Sequence, residues 1–311
     1  MGVNLKPILT SHEKPLEALA GTYAVDAYNT LYQFLTIIRQ PDGTPLMNQN
    51  REITSHLSGL FYRSCSLLEK NITPIYVFDG EPSALKAKTI AERVGKKMEA
   101  EELMRKAREE GRLQEAAMLA QRTARLSRPM VKQAQQLLDL LGLPWVQAPS
   151  EGEAQCALMA SRNVVDAAAS QDFDTLLFGA PRLVRNLTLS GRRKLPRKNQ
   201  FTTIYPEEYS LKENLDTLGL SHRQLVWAGI LIGTDFNEGI LGIGPKKALK
   251  IVKDAKTFAD INAKLENPVD EKPLEELFLN PAYADVDKNA LERKPPDIAG
   301  IKAFMADENG F

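Results

Sequence analysis

Residues 22–40 of the chain read TYAVDAYNTLYQFLTIIRQ, a short apolar run followed by a longer segment with apolar residues at helical spacing. The run TYAV has the length and composition of a buried strand, and residues 27–40 predict an amphipathic helix. Asp26 stands at the junction between the two. This unit predicts an α/β fold in which an acid follows the carboxyl end of a strand.

The same alternation continues through the first two hundred residues. Helices are predicted at 53–70, 133–142 and 150–161, and TLLF (175–178) is interpreted as a strand or a short buried turn. Further strands are predicted at PIYVF (74–78), PWVQ (144–147), VVDAAAS (164–170) and LVRNLTL (183–189). Alternation of this kind favours a mainly parallel central sheet covered by helices. We therefore predict an α/β core over 1–205 and a helical subdomain with a C-terminal segment over 206–311.

Composition places the chain among soluble intracellular proteins. Its 311 residues are 43% hydrophobic and 26% charged, as in an ordinary globular protein. Cys65 and Cys156 lie far apart, which favours a reducing compartment without disulfides. No apolar run is long enough to span a bilayer, and the first ten residues form no secretory signal, so no membrane partner is expected.

The formal net charge of zero conceals an uneven distribution. Residues 82–130 hold 12 Lys or Arg against 7 Asp or Glu, and residues 187–200 hold five basic residues and no acid. Such zones are typical of a binding footprint, but charge alone favours two solvated surface segments. The segment 82–130 also interrupts the strand–helix alternation. We interpret it as a helical insertion projecting from the sheet, with a disordered linker as the alternative.

Acids follow three of the predicted strands. Asp26 follows TYAV, Asp79 follows PIYVF, and Asp172 and Asp174 follow the AAAS strand. The carboxyl ends of parallel strands lie on one edge of a sheet, where ligands bind. A single aspartate in such a place is usually a turn or helix-capping residue. Three strand ends together, with a DxD pair that shares one face of an extended chain, favour a common site.

Three further acids are candidates for the same edge. Glu151 and Glu153 lie in the first turn of the helix after PWVQ, although Ser150 and Glu153 also have the spacing of a capping box. Asp235 follows the apolar helix WAGILIG. The three histidines lie far from all these motifs, and oxygen ligands alone select Mg²⁺ or Mn²⁺. Seven acids suit two ions about 4 Å apart, the arrangement that hydrolyses phosphodiesters.

Residues 231–252, LIGTDFNEGILGIGPKKALKIV, predict a helix, a glycine-rich turn and a second helix. Gly242 and Gly244 allow backbone N–H groups to approach a phosphate, and Lys246 and Lys247 add positive charge. This is a helix–hairpin–helix pattern for sequence-independent phosphate contact, and an ordinary αα-hairpin is the alternative.

Several long runs resemble one family, the structure-specific 5′ nucleases, and within it the archaeal and eukaryotic flap endonucleases. The resemblance spans about residues 1–255 and rests on YQFLTIIRQPDGTPLMN, TSHLSGLFYR, PIYVFDGEP, QAPSEGEAQ, SQDFDTLLFGAPRLVRNLT, KLP and ILIGTDFNEGILGIGPKKAL. It implies a Mg²⁺-dependent nuclease with 5′-flap endonuclease and 5′–3′ exonuclease activity on branched DNA in replication, including Okazaki fragment maturation, and in repair.

The resemblance also implies roles for individual residues. Asp79, Glu151 and Glu153 would surround one Mg²⁺, with Asp26 acting mainly through water. Asp172, Asp174 and Asp235 would serve a second ion, with Mn²⁺ able to substitute for Mg²⁺. Lys86 and Arg93 would contact the scissile phosphate and stabilise charge in the transition state, and Asp174 counts with them as catalytic.

The DNA contacts implied by the resemblance are more widely spread. Tyr32 would stack on a nucleotide near the cut, and Gly2 would lie close to the site. The basic positions that match DNA contacts are Arg39, Arg63, Arg185, Arg193 and Lys194. The insertion 82–130 matches the family's helical gateway and cap, which would admit a single-stranded 5′ end, exclude duplex and become ordered on binding.

Three departures from the family pattern are visible. Phe236 replaces a common Tyr, and Leu241 replaces a commonly basic residue, which would weaken the hairpin's contact with duplex by one phosphate interaction. The sequence stops at Asn309-Gly310-Phe311, short of the family's tail that binds the sliding clamp, and we interpret it as shortened. We expect a monomer, cytoplasmic in a prokaryote or nuclear in a eukaryote.

Three other functions remain as alternatives. A DxD phosphatase carries its motif after the first strand, whereas DFDTL comes late in this chain. A PIN-type ribonuclease also gathers aspartates at strand ends, but it is shorter and lacks the hairpin and the gateway segment. A catalytically weak DNA-junction binder would lack some of the acids, and all seven are present.

Overall fold

The computed structural model describes residues 2–40, 42–194 and 201–311, and all their side chains except those of 192–194 and 201. Within the described residues, seven strands form the main sheet and two form a separate hairpin. In chain order the strands are β1 (His12–Glu13), β2 (Gly21–Asp26), β3 (Ile72–Phe78), β4 (Trp145–Gln147), β5 (Ala167–Ala169), β6 (Arg182–Arg185), the hairpin strands β7 (Gly191–Lys194) and β8 (Phe201–Ile204), and β9 (Glu207–Ser210).

The main sheet is mostly parallel, with the strand order β1-β9-β6-β5-β2-β3-β4. Each neighbouring pair from β6 to β4 is parallel. Strand β9 is antiparallel to β6, and β1 is antiparallel to β9 at the edge. The predicted α/β class with a mainly parallel sheet is confirmed. Strand β9 extends this sheet to Ser210, while the division of the chain near 205 stays a prediction.

Helices cover the sheet and form most of the later chain. They are α1 (Ala27–Ile37), α2 (Ser55–Leu68), α3 (Ala87–Glu109), α4 (Leu113–Arg122), α5 (Arg128–Leu140), α6 (Gly152–Ser161), α7 (Asp174–Leu177), α8 (Leu211–Leu218), α9 (His222–Ile232), α10 (Pro245–Lys253), α11 (Phe258–Asn262), α12 (Lys272–Leu279) and α13 (Ile298–Lys302), the last continuing into a π-helical segment (Ala303–Glu308). Among the described helices, none combines the length and hydropathy needed to cross a bilayer.

The two faces of the sheet bury separate cores. In β3, Ile75 and Val77 pack with α6 and α9 residues on one face, whereas Tyr76 and Phe78 pack with α1, α2 and α5 residues on the other. This alternation is expected of a strand that is buried on both sides. The packing is tight where α1 crosses α2, since a Cβ added to Gly59 would lie 2.2 Å from the Phe34 ring.

The structure decides between alternatives at two places. The segment TLLF is a short buried turn rather than a strand, because residues Asp174–Leu177 form one turn of helix that ends before Gly179 in the left-handed region. The capping box at Ser150 is also absent. Glu151 is the N-cap of α6, and Ser150 instead donates its hydroxyl to the Glu81 carbonyl at 2.9 Å. Glu153 is therefore not engaged in capping this helix.

The segment 82–130 contains helices rather than the linker that was the alternative. Helix α3 has 23 residues but buries only Ala100 and Ala107, as expected of a sequence with few apolar anchors. Helix α4 packs along α3 and reaches the loop after α1, where a Cβ added to Gly43 would lie 2.6 Å from the Ala117 backbone. The pair is thus attached at its far end as well.

Candidate active site at the carboxyl edge of the sheet

Acids from four neighbouring parallel strands meet at one edge of the sheet, as the sequence predicts. Strands β5, β2, β3 and β4 lie side by side, and each is followed by at least one acid. A further acid comes from the loop after α9. We call these seven acids the carboxylate rim, which consists of Asp26, Asp79, Glu151, Glu153, Asp172, Asp174 and Asp235.

Asp26 and Asp79 are each positioned by the amino-terminal end of a helix, Asp26 by α1 and Asp79 by α6. Asp26 caps α1, with Oδ1 accepting from the Asn29 N–H at 2.9 Å and Oδ2 from the Ser170 hydroxyl at 3.2 Å. Asp79 accepts from the Gly152 N–H at 2.7 Å. Burial raises the pKa of Asp26 to about 8, with a further contribution from Asp79. Burial also raises the pKa of Asp79 to about 6.

The amino-terminal segment holds the DxD pair. Gly2 donates its N–H to Asp172 Oδ1 at 3.3 Å, and Val3 donates to Asp174 Oδ1 at 2.7 Å. Asp174 is fully buried, and its Oδ2 has no hydrogen-bond partner among the described residues. Burial raises the pKa of Asp174 to about 7, and the Asp235 and Asp172 carboxylates add to the effect.

The DxD pair does not lie on an extended strand, as the sequence argument assumed. Phe173 has helical backbone angles, and Asp174 is the first residue of α7. The two acids still reach the same rim because the chain turns into the helix between them. Phe173 is buried against Tyr209 with ring centroids 5.1 Å apart, and the Arg185 guanidinium lies 4.3 Å above its ring.

Lys86 enters the rim from the turn before α3. Its Nζ lies 2.6 Å from Glu151 Oε2 and 3.8 Å from Asp235 Oδ2. Burial alone would lower the pKa of Lys86, but Glu153, Glu151 and Asp235 raise it above its usual value. The pKa of Glu153 is itself raised, first by burial and then by Asp172 and Asp174. Lys86 is therefore a permanent positive charge within the rim.

Arg93, about two turns further along α3, contacts the far side of the rim. Its guanidinium donates to Asp235 at 2.6 Å. Burial disfavours a charge on Asp235, but neighbouring positive charges, of which Arg93 is the largest and Lys86 is one, hold the pKa of that carboxyl below its usual value. The predicted cations and the seven predicted acids are thus brought together in one place.

The rim fits divalent cations by its chemistry. All seven side chains offer carboxylate oxygens, the ligands of hard cations such as Mg²⁺. Burial is the main cause that raises the pKa values of Asp26, Asp79 and Asp174, and neighbouring carboxylates add to it, so a cation would favour their charged forms. The unpartnered Asp174 Oδ2 is a buried acceptor that a cation would satisfy. In this structure, however, no three Asp, Glu, His or Cys side chains of the described residues converge on one point. Lys86 and Arg93 neutralise part of the rim through their ion pairs with Glu151 and Asp235.

The expected DNA-contacting residues have different settings in the structure. Tyr32 is half-buried on α1, and Lys97 Nζ lies 4.9 Å over its ring. Arg39 is held by the Leu35 and Gly43 carbonyls, both at 2.9 Å, so it braces the loop after α1. Arg63 is half-buried on α2, and burial lowers the pKa of its guanidinium. Arg185 donates to the Gln171 carbonyl just before the DxD pair.

The remaining expected contacts belong to the two hairpins. Arg193 and Lys194 belong to β7, and their side chains lie outside the described part of the chain. In the turn between α9 and α10, Gly242 has φ of 80° and Gly244 is the N-cap of α10. Lys246 and Lys247 are exposed on the first turn of that helix. The predicted helix, glycine-rich turn and second helix are present as α9, the turn and α10.

Two polar residues that support the rim were missed from the sequence. Asn29 donates its side-chain N–H to Asp172 Oδ2 at 2.8 Å and its backbone N–H to Asp26, linking two acids from different strands. Ser170 donates to Asp26 across the same pair of strands. Asn29 stands three residues after an N-cap aspartate, and Ser170 ends a strand. That Asn29 and Ser170 both face the rim becomes clear only from the structure, in which β2 and β5 are adjacent parallel strands.

The fold and this rim define the class of structure-specific 5′ nucleases, and comparison with known proteins agrees. The family model "XPG N-terminal domain" matches residues 1–100, and "XPG I-region" matches residues 142–235. Flap endonuclease 1 of Staphylothermus marinus is 49% identical over all of this chain and 91% of its own length. Flap endonuclease 1 of Pyrococcus furiosus is 50% identical with the same coverage.

Solved structures give the same result. The flap endonuclease-1 of Methanococcus jannaschii superimposes with a TM-score of 0.76 at 40% identity, covering 100% of this chain and 94% of that one. The catalytic core of Rad2, solved in complex with DNA substrate, has a TM-score of 0.68 at 26% identity, covering 99% and 93%. The chain belongs to the flap endonuclease 1 family and is a structure-specific 5′ nuclease of DNA processing.

Proposed function

We propose that this nuclease hydrolyses phosphodiesters of 5′-flap DNA near the junction between single strand and duplex, with two Mg²⁺ held by the carboxylate rim. The observation that supports this most directly is the meeting of six acids at the ends of adjacent parallel strands with Asp235 from the loop after α9, and with Lys86 and Arg93 among them. Bound there, the ions would supply an activated water and stabilise the leaving oxygen.

Within this proposal each part of the rim has a separate task. Asp79, Glu151 and Glu153 hold one ion, with Asp26 behind them, and Asp172, Asp174 and Asp235 hold the other. Lys86 and Arg93 turn from their carboxylate partners towards the scissile phosphate and stabilise the charge that develops on it. The Gly2 and Val3 N–H groups fix the orientation of Asp172 and Asp174.

DNA binding is divided between residues near the rim and the hairpin between α9 and α10. Tyr32 stacks on a nucleotide beside the cut, and Arg63 and Arg185 bind phosphates close to the rim. The hairpin between α9 and α10 binds duplex backbone through Gly242, Gly244, Lys246 and Lys247 without reading sequence. The rim, covered by α3, and the exposed hairpin would together select a junction between single strand and duplex. Such an activity would serve DNA replication and repair.

The proposal is tested with labelled oligonucleotides. A 5′-flap DNA, a blunt duplex and a single strand are incubated with purified protein, with Mg²⁺ or with chelator. We expect cleavage of the flap near its junction in Mg²⁺ only. Equal cutting of all three substrates, or cutting that persists in chelator, would refute the proposal. A flap of RNA is a fourth arm, since preference for it would favour a ribonuclease of the PIN type.

The assignment of the rim is tested by Asp174→Ala. Removing a metal-holding carboxylate costs several kcal/mol of transition-state stabilisation, so we expect turnover to fall at least about 100-fold while flap binding persists. Asp216→Ala is the matched control, because Asp216 is an exposed acid that pairs with Lys212 on α8. Cleavage by Asp174→Ala at the rate of this control would remove Asp174 from the site.

A further inference from the structure

The tip of the hairpin between α9 and α10 carries a leucine with no protein contact. Leu241 is fully exposed, at 103% relative exposure, whereas Ile243 two residues later is buried at 7%. The turn itself is firmly held. Gly239 packs so closely that an added Cβ would lie 2.4 Å from the Ile232 carbonyl, and Ile240 donates its N–H to the Leu231 carbonyl at 2.9 Å. These contacts therefore hold in place the backbone that carries Leu241.

The surroundings of Leu241 suit a polyanion. Cβ atoms added to Gly242 or Gly244 would meet nothing within 4 Å, so a ligand can approach the backbone on that side. Lys246, Lys247 and Lys250 are exposed on the helix that begins after the turn. A single exposed leucine is common on protein surfaces. An exposed leucine that precedes two open glycines and lies beside three lysines, in a DNA nuclease, lies where a nucleic-acid backbone would contact it.

We propose that Leu241 packs against the deoxyribose of the duplex strand whose phosphates this hairpin binds. The inference rests on the proposed function of the hairpin. A leucine cannot pair with phosphate, and a contact that is independent of sequence cannot rely on a base. The remaining apolar surface of the backbone is the C–H face of the sugar. Leu241 thus supplies an apolar anchor beside the phosphate contacts of the lysines.

Two properties follow from this contact. Burial of apolar surface releases no counterions, so this part of the binding free energy does not fall with salt, unlike the contribution of the lysines. A ribose would place a 2′-hydroxyl at the strand's sugar edge, where an apolar side chain leaves it without a hydrogen-bond partner. Leu241 therefore favours duplex DNA over a duplex whose contacted strand is RNA.

The experiment measures equilibrium binding without divalent cations at several KCl concentrations. The probes are an all-DNA flap substrate and the same duplex with ribonucleotides in either strand. Leu241→Ala is expected to weaken DNA binding about three- to tenfold at every salt concentration, without changing the salt slope. Leu241→Lys should steepen the slope by roughly one phosphate contact and lose its affinity at high salt.

Ile298→Ala is the matched control, since Ile298 is an aliphatic side chain on α13 with 71% relative exposure. It should bind and cleave as the wild type does. DNA binding by Leu241→Ala that equals the wild type at high salt would overturn the proposal, as would equal losses on DNA and on both hybrids. Self-association that Leu241→Ala abolishes, with DNA affinity unchanged, would instead assign the tip to contact between copies.

Because binding is measured without divalent cations, its outcome is separate from that of the cleavage assay. A wild-type protein that fails to cut flap DNA in Mg²⁺ contradicts the proposed function. A wild-type protein that cuts flap DNA, with Leu241→Ala binding as tightly as wild type, contradicts only the sugar contact.

Discussion

At the scale of single residues, the rim is balanced by cations of the protein itself. Lys86 is 2.6 Å from Glu151, and Arg93 is 2.6 Å from Asp235, so two acids that would hold metal are paired within the chain. Breaking a buried pair from one side leaves an uncompensated charge. The protein and a divalent cation thus compete for the same carboxylates, and the competition is measurable without catalysis.

Lys86→Met tests this competition. Methionine has a similar length to lysine but no charge, so the variant loses both the ammonium that lies 5.3 Å over the Phe236 ring and the ion pair of Glu151. The metal-free protein should lose on the order of 2 kcal/mol of unfolding free energy or more. Added Mg²⁺ should then stabilise the variant more than the wild type, read as a larger rise in Tm. Lys88→Met is the control, because its pair with Glu238 is exposed and should contribute nothing measurable. Equal Mg²⁺-induced shifts in all three proteins would contradict the idea.

His56 predicts a dependence of stability on pH that is separate from the rim. It is fully buried on α2, Nδ1 has no partner among the described residues, and burial lowers the pKa to about 4 from 6.5. As pH falls, the histidine is therefore protonated at a higher pH in the unfolded chain than in the folded protein. The contribution of His56 to the free energy of unfolding is therefore complete above pH 6.5, and it is lost as pH falls from 6.5 through about 4.

The measurement compares wild type with His56→Gln by denaturant unfolding between pH 8 and pH 4. The wild type should lose up to about 3 kcal/mol more than the variant across this range, since each pKa unit corresponds to about 1.4 kcal/mol. Because both proteins share every other titrating group, the difference isolates His56. Parallel losses in the two proteins would show that His56 is not kept neutral by burial.

At the scale of elements, the order of strands and helices was largely predictable, and local geometry was not. The apolar runs gave β2, β3 and β4 because parallel strands buried on both faces need continuous apolar sequence. TLLF has the same composition but forms a helical turn, since Gly179 ends it and the chain must re-enter the sheet at β6. Composition does not separate these outcomes in four residues.

The carboxylate rim, too, was predictable in part: its acids could be predicted from the sequence, and the contacts among them could not. Its acids were predictable because the carboxyl ends of parallel strands share an edge, an argument that needs only topology. Its internal contacts were not, because they join residues far apart in the chain. The Asn29–Asp172 bond and the Lys86–Glu151 pair each depend on the register of two elements that sequence spacing does not fix. Family resemblance, rather than residue pattern, pointed to Lys86 and Arg93.

The close crossing of α1 and α2 is a testable property of these elements. In Gly59→Ala the new methyl group would lie 2.2 Å from the Phe34 ring, so the helices must separate and we expect a loss of about 1–3 kcal/mol. Gly95→Ala makes the same change in α3 with nothing within 4 Å, and alanine's higher helix propensity should leave its stability equal or higher. Thermal unfolding of both variants checks this. Equal stability of Gly59→Ala and wild type would show that the crossing has room.

At the scale of the whole molecule, α3 and α4 form an arch over the carboxyl edge of the sheet. Arg93 joins the arch to Asp235 on one side, Lys97 contacts Tyr32 beneath it, and α4 packs on the loop at Gly43. Its inner face carries Arg93 and Lys97, and Lys86 lies in the turn just before α3, which suits a single phosphate backbone. A single strand that reaches the rim must therefore pass beside α3. A DNA duplex is wider than a single strand and would need more space beside that helix.

This geometry predicts that a single-stranded flap is required. Annealing a complementary oligonucleotide along the whole 5′ flap should slow cleavage at least about tenfold, a barrier increase of about 1.4 kcal/mol, because the arch must open further to admit two strands. An oligonucleotide of scrambled sequence controls for added DNA. Binding to the duplex portion should persist, since the hairpin at Gly242 and Gly244 lies outside the arch, and a gel-shift measurement separates the two effects. Unchanged cleavage of the double-stranded flap would mean that the 5′ end never passes α3, and that the arch selects substrates from outside.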